Sequence, residues 1–199
     1  MSLDKTGIST VLLMSQLPSY HLRLARDTDV DAIHELFCEP TVYEFLADGA
    51  APPRDISEQW VARSDELSRR YGGGLWLLQR DEGLAPAGLV QLAEFAQRRL
   101  ELTYVLRPSA WGAGLATRMA HTAIGRCFSR GRIDAIWGGA DMPNVRSIRV
   151  MERLGMRFLR HVEYPAGPGV EYELSNTTYS SATHAPLRVI SSNEQGETE

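Results

Sequence analysis

The fold of this chain is constrained most by one unit of its sequence, in which a strand-like run leads through a glycine-rich turn into a helix-like run. Residues 100–106 are rich in branched and aromatic side chains, as strands are. Gly112 and Gly114 follow, and apolar side chains then recur on one helical face over residues 115–128. Glycines allow a tight turn and a close approach to backbone N–H groups, and a helix N-terminus favours an anion. The unit is compatible with a phosphate site, but on this feature alone most such glycines only make a turn.

The rest of the chain alternates between strand and helix patterns. The predicted order is strand, two helices, three strands, helix, strand, helix and two strands, which is typical of a mixed α/β domain with one central sheet. Pro40 is predicted to end the first helix. The predicted strands cover 22–26, 75–79, 88–95, 100–106, 133–140, 156–163 and 170–174, and the predicted helices about 30–37, 55–70, 115–128 and 144–154.

The length of 199 residues and the apolar content of 43% fit one domain with its own core. Residues 1–18 are predicted to be a flexible lead-in, and residues 19–175 the folded domain. Residues 176–199 are predicted to be a polar tail, because they are rich in Ser, Thr and Glu and have little to bury. Residues 187–190 are the exception, since they could still dock as a short strand.

Charge, hydropathy and cysteine content exclude several classes of function. The net charge is −4, whereas nucleic-acid binders carry a basic excess. No run approaches about 18 apolar residues, so no membrane span is expected. Cys38 and Cys127 form no CxxC pair, which fits a reducing cytoplasm and no thiolate metal site. The histidines lack the spacing of metal ligands, and His121 is expected at the surface. A homodimer is left open.

Two other phosphate-binding motifs fit the glycine-rich turn less well. A Walker loop requires Lys followed by Ser or Thr after its last glycine, but Gly114 is followed by Leu115 and Ala116. A dinucleotide fingerprint ends in Gly or Ala where this chain has Thr117, and Asp134 lies at a strand start rather than at a strand end. A nucleotide-binding dehydrogenase domain is therefore the least favoured hypothesis.

The run from Trp111 to Thr117 resembles the acyl-CoA motif of the GNAT superfamily of N-acetyltransferases. Within that superfamily it is similar to the branch that includes the ribosomal-protein N-terminal (alanine or serine) acetyltransferases. Trp111 stands at the Gln or Arg position of the motif, and Gly114 and Ala116 fill the two small-residue positions. A second match follows at residues 144–156, which resemble the Asn-x-x-Ser helix of the family, with Met in place of the final Phe.

The resemblance covers about residues 20–175 and implies a fold and a cofactor. The implied fold is a single central, mostly antiparallel sheet that is splayed in the middle, with helices on both faces. The implied cofactor is acetyl-CoA or CoA, with its diphosphate on the backbone amides of the turn and its pantetheine arm along the splayed strand edge. The cofactor-binding residues that follow are Tyr104, Val105, Leu106, Trp111, Gly112, Ala113, Gly114, Leu115, Ala116, Thr117, Asn144 and Arg149.

Two catalytic candidates follow from the resemblance and from the chemistry of amide formation. An amine must lose a proton before it attacks a thioester, and Glu101 is a carboxylate on the strand that leads to the implied thioester site. Ser147 is implied as the acid for the departing thiolate. Many members of the superfamily carry an acid Tyr where this chain has Met151, so that role is left to Ser147 or to solvent. A solvated strand face for Glu101 and close packing for Ser147 stay open as structural interpretations.

These observations predict an acyl-CoA-dependent N-acetyltransferase. Its acceptor is predicted to be a primary amine, on a small molecule or at a protein N-terminus, with no nucleic-acid or membrane partner. The alternative is a non-catalytic acyl-CoA-binding sensor with the same turn. Acidic residues ahead of the sheet would suit a cationic acceptor, although a solvated helix face explains them as well. They are Glu39, Glu44, Asp48, Asp55 and Glu58.

Overall fold

The computed structural model describes residues 20–46, 49–80, 85–181 and 183–190. The predicted lead-in and residues 191–199 of the predicted tail lie outside these ranges. The described residues form one eight-stranded sheet flanked by five α-helices. The strands are β1 (Tyr20–Leu24), β2 (Gly74–Arg80), β3 (Gly88–Ala96), β4 (Arg99–Leu106), β5 (Ala135–Asp141), β6 (Arg157–Tyr164), β7 (Gly167–Ser175) and β8 (Arg188–Ile190). The helices are α1 (Val30–Phe37), α2 (Pro40–Leu46), α3 (Arg54–Tyr71), α4 (Leu115–Ser129) and α5 (Val145–Arg153).

The strand order in the sheet is β6-β7-β5-β4-β3-β2-β1-β8. Across the described residues, β4 pairs in parallel with β5 and β1 pairs in parallel with β8, and every other neighbouring pair is antiparallel. The sheet is therefore mixed but mostly antiparallel, which confirms the predicted fold class.

The sheet splits between β4 and β5. The two strands pair over only three residues each, Arg99–Glu101 against Ala135–Trp137. Farther along, β4 stays paired with β3 as far as Leu106, while β5 stays paired with β7 as far as Asp141. The two strands therefore diverge, as predicted for the middle of the sheet, and they leave a gap between their ends.

The described residues form two hydrophobic cores, which lie on opposite faces of the sheet. Alternate side chains of β2 supply both cores, because successive residues of a strand point to opposite faces. Trp76 and Leu78 pack in the core closed by α4 and α5, whereas Leu75 and Leu77 pack in the core closed by α1 and α3. Helices thus cover both faces of the sheet and hold the strands that border the gap.

The helix α2 differs from the prediction, which placed a break at Pro40. Pro40 is the first residue of α2. Proline suits this position because the N–H group that it lacks would have no partner within the helix there. The preceding helix does end at Phe37, before the proline.

Residues 187–190, the exception to the predicted loose tail, are docked on the sheet. The strand β8 pairs with β1, the Leu187 side chain is buried, and the Leu187 N–H donates to the Thr122 hydroxyl at 2.9 Å. The alternative prediction, a short docked strand, describes this segment. His121 is also buried rather than at the surface, because the chain after β7 covers it and the Ser180 carbonyl lies 3.1 Å from its ring nitrogen.

None of the helices in the described ranges is long and apolar enough to cross a membrane. The same ranges contain no group of three or more His, Cys, Asp or Glu side chains that could hold a metal ion.

Candidate active site

A cleft of about 840 Å³ opens at the gap between β4 and β5. Its walls come from the second half of β4, the glycine-rich turn with the start of α4, one face of α5, and α2. Binding sites for small molecules and cofactors span about 300–1,000 Å³, so this cleft can take a large ligand. Both predicted catalytic residues and all of the predicted cofactor-binding residues line it except Ala113, which lies between the two glycines.

The glycine-rich turn borders the cleft with an open backbone. Gly112 and Gly114 have φ values of 81° and 69°, in the left-handed region that favours glycine. A Cβ added to either residue would meet no atom within 4 Å apart from its chain neighbours. The turn therefore requires glycine for its conformation, and the space beside it is free for a ligand.

The start of α4 presents hydrogen-bond donors at this turn. The Arg118 N–H donates to the Gly114 carbonyl at 3.1 Å, so the N–H groups of the three preceding residues come before the first helical hydrogen bond. Thr117, one of the three, is buried, and its hydroxyl oxygen has no hydrogen-bond partner among the described residues. These donors, together with the positive end of the helix dipole, fit a diphosphate.

The edge of β4 that faces the gap presents backbone groups with no strand of the described residues beside them. The Arg107 N–H donates to the Ala87 carbonyl at 2.9 Å. Backbone groups alternate in direction along an antiparallel pair, so those of Leu106 and Tyr104 point away from β3 and toward the gap. The Leu106 carbonyl accepts a hydrogen bond from the Trp111 indole N–H at 2.9 Å. The edge can therefore bond an extended ligand, as the resemblance implies for the pantetheine arm.

Trp111 also connects the turn to α5. The Arg146 guanidinium lies 4.3 Å from the centre of the Trp111 ring, which is a cation–π contact. Arg146 and the predicted Arg149 both line the cleft and bring positive charge to it. Sequence reasoning placed only Arg149 in the cofactor site. The position of Arg146 at the start of the helix, two residues after Asn144, was the available signal.

Ser147 is held from both sides of the gap. Its backbone N–H donates to the Asn144 side-chain oxygen at 3.1 Å, so Asn144 caps α5 as predicted. The Tyr104 hydroxyl, on β4, lies 2.8 Å from the Ser147 Oγ and donates to the Ser147 carbonyl at 3.0 Å. Burial raises the pKa of Tyr104 far above its ordinary value, and the hydrogen bond to Ser147 offsets only part of that rise. Sequence reasoning had assigned only cofactor binding to Tyr104.

Glu101 lines the cleft where the gap begins. It is the last residue of β4 that pairs with β5, and its partner there is Trp137. Glu101 is half-buried, and burial raises the pKa of its carboxyl group. A carboxylate with a raised pKa is a stronger base than an exposed one. The structure therefore brings Glu101 and Ser147 to the same cleft, and Met151, which is almost fully buried, borders it as well.

The predicted acidic groove is present only in part. Glu39 and Glu58 each pair with an arginine, at 2.6 and 3.1 Å, and Asp55 is exposed on α3. Glu44 lines the cleft, and Asp48 lies outside the described residues. The acidic character of the cleft near α2 thus rests on Glu44, with Glu101 on the neighbouring strand.

The helix α2 supplies a wall that sequence reasoning missed. Val42, Phe45 and Leu46 line the cleft beside Glu44. Their spacing of three and four residues is the helical pattern, and it follows directly after Pro40. That pattern was the signal that could have predicted both the helix and an apolar wall of the site.

A scan against protein-family models matches residues 20–157 to the family described as "Acetyltransferase (GNAT) domain". The chain belongs to the GNAT acetyltransferase family. This confirms the family resemblance, and with it the predicted class of enzyme, an acyl-CoA-dependent N-acetyltransferase.

Other GNAT proteins and related chains are similar over most of this chain. The uncharacterized protein YkkB of Bacillus subtilis (strain 168) is 27% identical over 156 residues, which cover 76% of this chain and 90% of YkkB. Spermidine N-acetyltransferase from Vibrio cholerae, solved with CoA and spermine, has a TM-score of 0.67 at 16% identity, and the match covers 81% of this chain and 98% of that one. RimL, a ribosomal L7/L12 α-N-protein acetyltransferase solved with coenzyme A, has a TM-score of 0.66 at 18% identity, with coverage of 79% and 94%.

The two solved GNAT structures agree with the predicted cofactor. Both hold coenzyme A, and the glycine-rich turn, the free donors at the start of α4 and the unpaired edge of β4 in this chain fit the same molecule.

Proposed function

We propose that this protein transfers the acetyl group of acetyl-CoA to a primary amine by direct attack of the amine on the thioester, with both substrates bound in the cleft together. The observation that carries this proposal is the gap between β4 and β5, which opens into one cleft with the glycine-rich turn, Glu101 and Ser147.

The residues that bind acetyl-CoA are inferred from the hydrogen-bond donors and the positive charge around the cleft. Acetyl-CoA supplies the acetyl group as a thioester. The N–H groups of Leu115, Ala116 and Thr117 bind the diphosphate, supported by Arg146 and the buried Thr117 hydroxyl. The gap-facing edge of β4 binds the pantetheine arm. The Leu106 N–H points toward the gap and stabilises the negative charge that develops on the thioester oxygen.

Glu101 and Ser147 act on the two groups that change protonation in the reaction, the amine and the leaving thiolate. Glu101 takes a proton from the substrate ammonium, directly or through water, so that the neutral amine can attack. The N–C bond forms first and leaves negative charge on the thioester oxygen. When this intermediate collapses, the C–S bond breaks, its electron pair leaves with sulfur, and the nitrogen loses its second proton to solvent. Ser147, the predicted acid, donates a hydrogen bond from its O–H to that sulfur. A thiol has an ordinary pKa of about 8.5, so the departing thiolate needs only this hydrogen bond before solvent protonates it.

The acceptor class is a primary amine on a small molecule or at a protein N-terminus. The spermidine enzyme and the ribosomal-protein enzyme, which are similar in fold, are named for one acceptor of each kind. Glu44 and Glu101 place two carboxylates in the cleft, and these favour a substrate that arrives as a cation.

The test is incubation of the protein with acetyl-CoA and a panel of amines and peptides, read by release of the free thiol of CoA. Cys38 is an exposed thiol, so a Cys38→Ser variant removes the background that it would give with a thiol reagent. Gly114→Trp fills the space beside the turn and should abolish CoA binding. Failure of the unmodified protein to bind CoA in a thermal-shift measurement would contradict the proposal.

Catalysis is separated from binding by a second set of variants. Glu101→Gln and Ser147→Ala should slow acetyl transfer while the Kd for CoA stays the same. Glu94→Gln is the matched control, because Glu94 lies exposed on the neighbouring strand and pairs with Arg70. Binding of CoA without transfer to any amine, in every variant alike, would favour the non-catalytic acyl-CoA sensor.

A further inference from the structure

The cleft has two sides, because successive side chains of β4 point to opposite faces of the sheet. Tyr104 and Leu106 pack against the core closed by α4 and α5, which is the face that carries the glycine-rich turn. Val105 packs in the core closed by α1 and α3, and Glu101, four residues earlier on the strand, shares its face. The helix α2 lies on that face too, since Val42 belongs to the same core. With the coenzyme on the side of α5, the acceptor therefore reaches Glu101 from the side of α2.

The wall that α2 presents on the acceptor side is apolar. Val42 is buried, whereas Phe45 lines the cleft with 37% of its surface exposed and belongs to neither core of the described residues. Leu46 lines the cleft as well, and among the described residues it also borders a neighbouring cavity of about 380 Å³ whose lining includes Phe37 and Trp60. An aromatic side chain left open on the wall of a cleft is typical of a surface that binds an apolar group.

The carboxylates on this side suit a single ammonium. Glu39 pairs with Arg107 at 2.6 Å, and the carboxylates of described residues that line the cleft are Glu44 and Glu101. Glu101 meets the amine that is acetylated, while Glu44 is exposed on α2. An ion pair with an exposed carboxylate changes affinity by at most about fivefold, because water screens it. Each methylene buried against an apolar wall adds up to about fourfold, so several methylenes outweigh a second ammonium at Glu44.

We infer that the acceptor is a small primary amine that carries one positive charge on an apolar body, and that Phe45 binds this body. The inference rests on the proposed function, of which it names the acceptor class. The ammonium lies at Glu101, and the apolar body runs along α2 past Phe45 toward Leu46. A peptide N-terminus fits this wall less well, because the amide group next to its amine would lie against side chains that offer it no hydrogen bond.

The test compares four acceptors at saturating acetyl-CoA: n-propylamine, n-pentylamine, n-heptylamine and 1,6-diaminohexane, with the acetylated amine measured by mass spectrometry. The value of kcat/KM should rise about two- to fourfold per methylene from propylamine to heptylamine. Heptylamine and the diamine match in length and differ in a methyl group against an ammonium at the far end. Heptylamine should exceed the diamine at least about tenfold in kcat/KM, although the diamine offers two amines, because its second ammonium loses water against the wall.

A variant of Phe45 assigns this preference to the wall. Phe45→Ala should lower kcat/KM about tenfold for heptylamine and less than about threefold for propylamine, which is too short to use the whole wall. The KM for acetyl-CoA should stay the same, since Phe45 lies on the acceptor side. Phe158→Ala is the matched control, because Phe158 is similarly exposed, at 42%, and lies on β6 outside the cleft. It should leave all of these values unchanged.

Several results would overturn the inference while leaving the proposed function intact. They are transfer that does not depend on chain length, faster transfer to peptides than to heptylamine, and a loss in Phe45→Ala that is equal for propylamine and heptylamine. A preference for the diamine would also overturn it, and the loss of that preference in Glu44→Gln would place a second ammonium at Glu44. No transfer to any amine or peptide by the unmodified protein would contradict the proposed function itself.

Discussion

Glu101 combines a cost to stability with a gain for catalysis. Burial raises the pKa of its carboxyl group, so the folded protein holds the proton more tightly than the unfolded chain does. The favourable contribution of this group is complete below the unfolded pKa and is lost as the pH rises through the folded pKa. At pH 7 the carboxylate is therefore destabilising. Glu101→Gln should raise the free energy of unfolding at pH 7 while acetyl transfer falls by about 10²–10⁴, checked by urea unfolding and by steady-state rates.

The same shift predicts the pH profile. Since the base must be unprotonated, kcat/KM should fall on the acid side at a pH above the ordinary range of a glutamate. This limb should disappear in the residual activity of Glu101→Gln, whereas a limb caused by ionisation of the amine substrate would stay. An unchanged acid limb in the variant would show that another group is the base.

The residues of the site that could be predicted are those that a short sequence pattern or the family resemblance points to. The glycines of the turn and the cap Asn144 follow from neighbouring residues, and Glu101 and Ser147 follow from the family resemblance. The contact between Tyr104 and Ser147 could not be predicted, because it depends on how far β4 and α5 stand apart across the gap. The stacking of Arg146 on Trp111 depends on the same separation.

In the helix α5, one residue, Asn144, affects both the stability of the helix and the lining of the cleft. Asn144 caps the helix through the Ser147 N–H at 3.1 Å, and it also lines the cleft. Asn144→Ala should lower the free energy of unfolding by about 0.5–2 kcal/mol, the usual cost of a lost cap. Asn144→Asp should keep the stability, since aspartate caps equally well, but its negative charge should weaken the binding of the anionic coenzyme.

Urea unfolding and the Kd for CoA, measured on both variants, separate the two effects. If Asn144→Asp bound CoA as tightly as the unmodified protein, Asn144 would lie too far from the coenzyme to contribute to its site. The helix α5 lies between a cap residue and Gly155 and was predicted from the sequence, whereas α2 was missed. Proline marks a helix start as well as a helix end, and the helical spacing of the apolar residues after Pro40 is what distinguishes the two here.

At the scale of the whole molecule, the two halves of the sheet have different tasks. The cleft lies between β4 and β5, while β8 closes the far edge beside β1 and is separated from β4 by three strands. The sequence could predict the order of the elements but not that the last of them returns to the first strand. A run as short as 187–190 carries too little pattern to indicate which edge it joins.

This separation predicts that stability and coenzyme binding can be changed independently. Leu187→Ala should lower the free energy of unfolding by about 2–5 kcal/mol, because the side chain is buried under the edge of the sheet. Val189→Ala, at a half-buried position of the same strand, should cost less. The Kd for CoA of the folded protein should stay the same in both variants, since neither residue lines the cleft. Weaker CoA binding by folded Leu187→Ala would mean that the docked segment supports the gap between β4 and β5 through the strands between them.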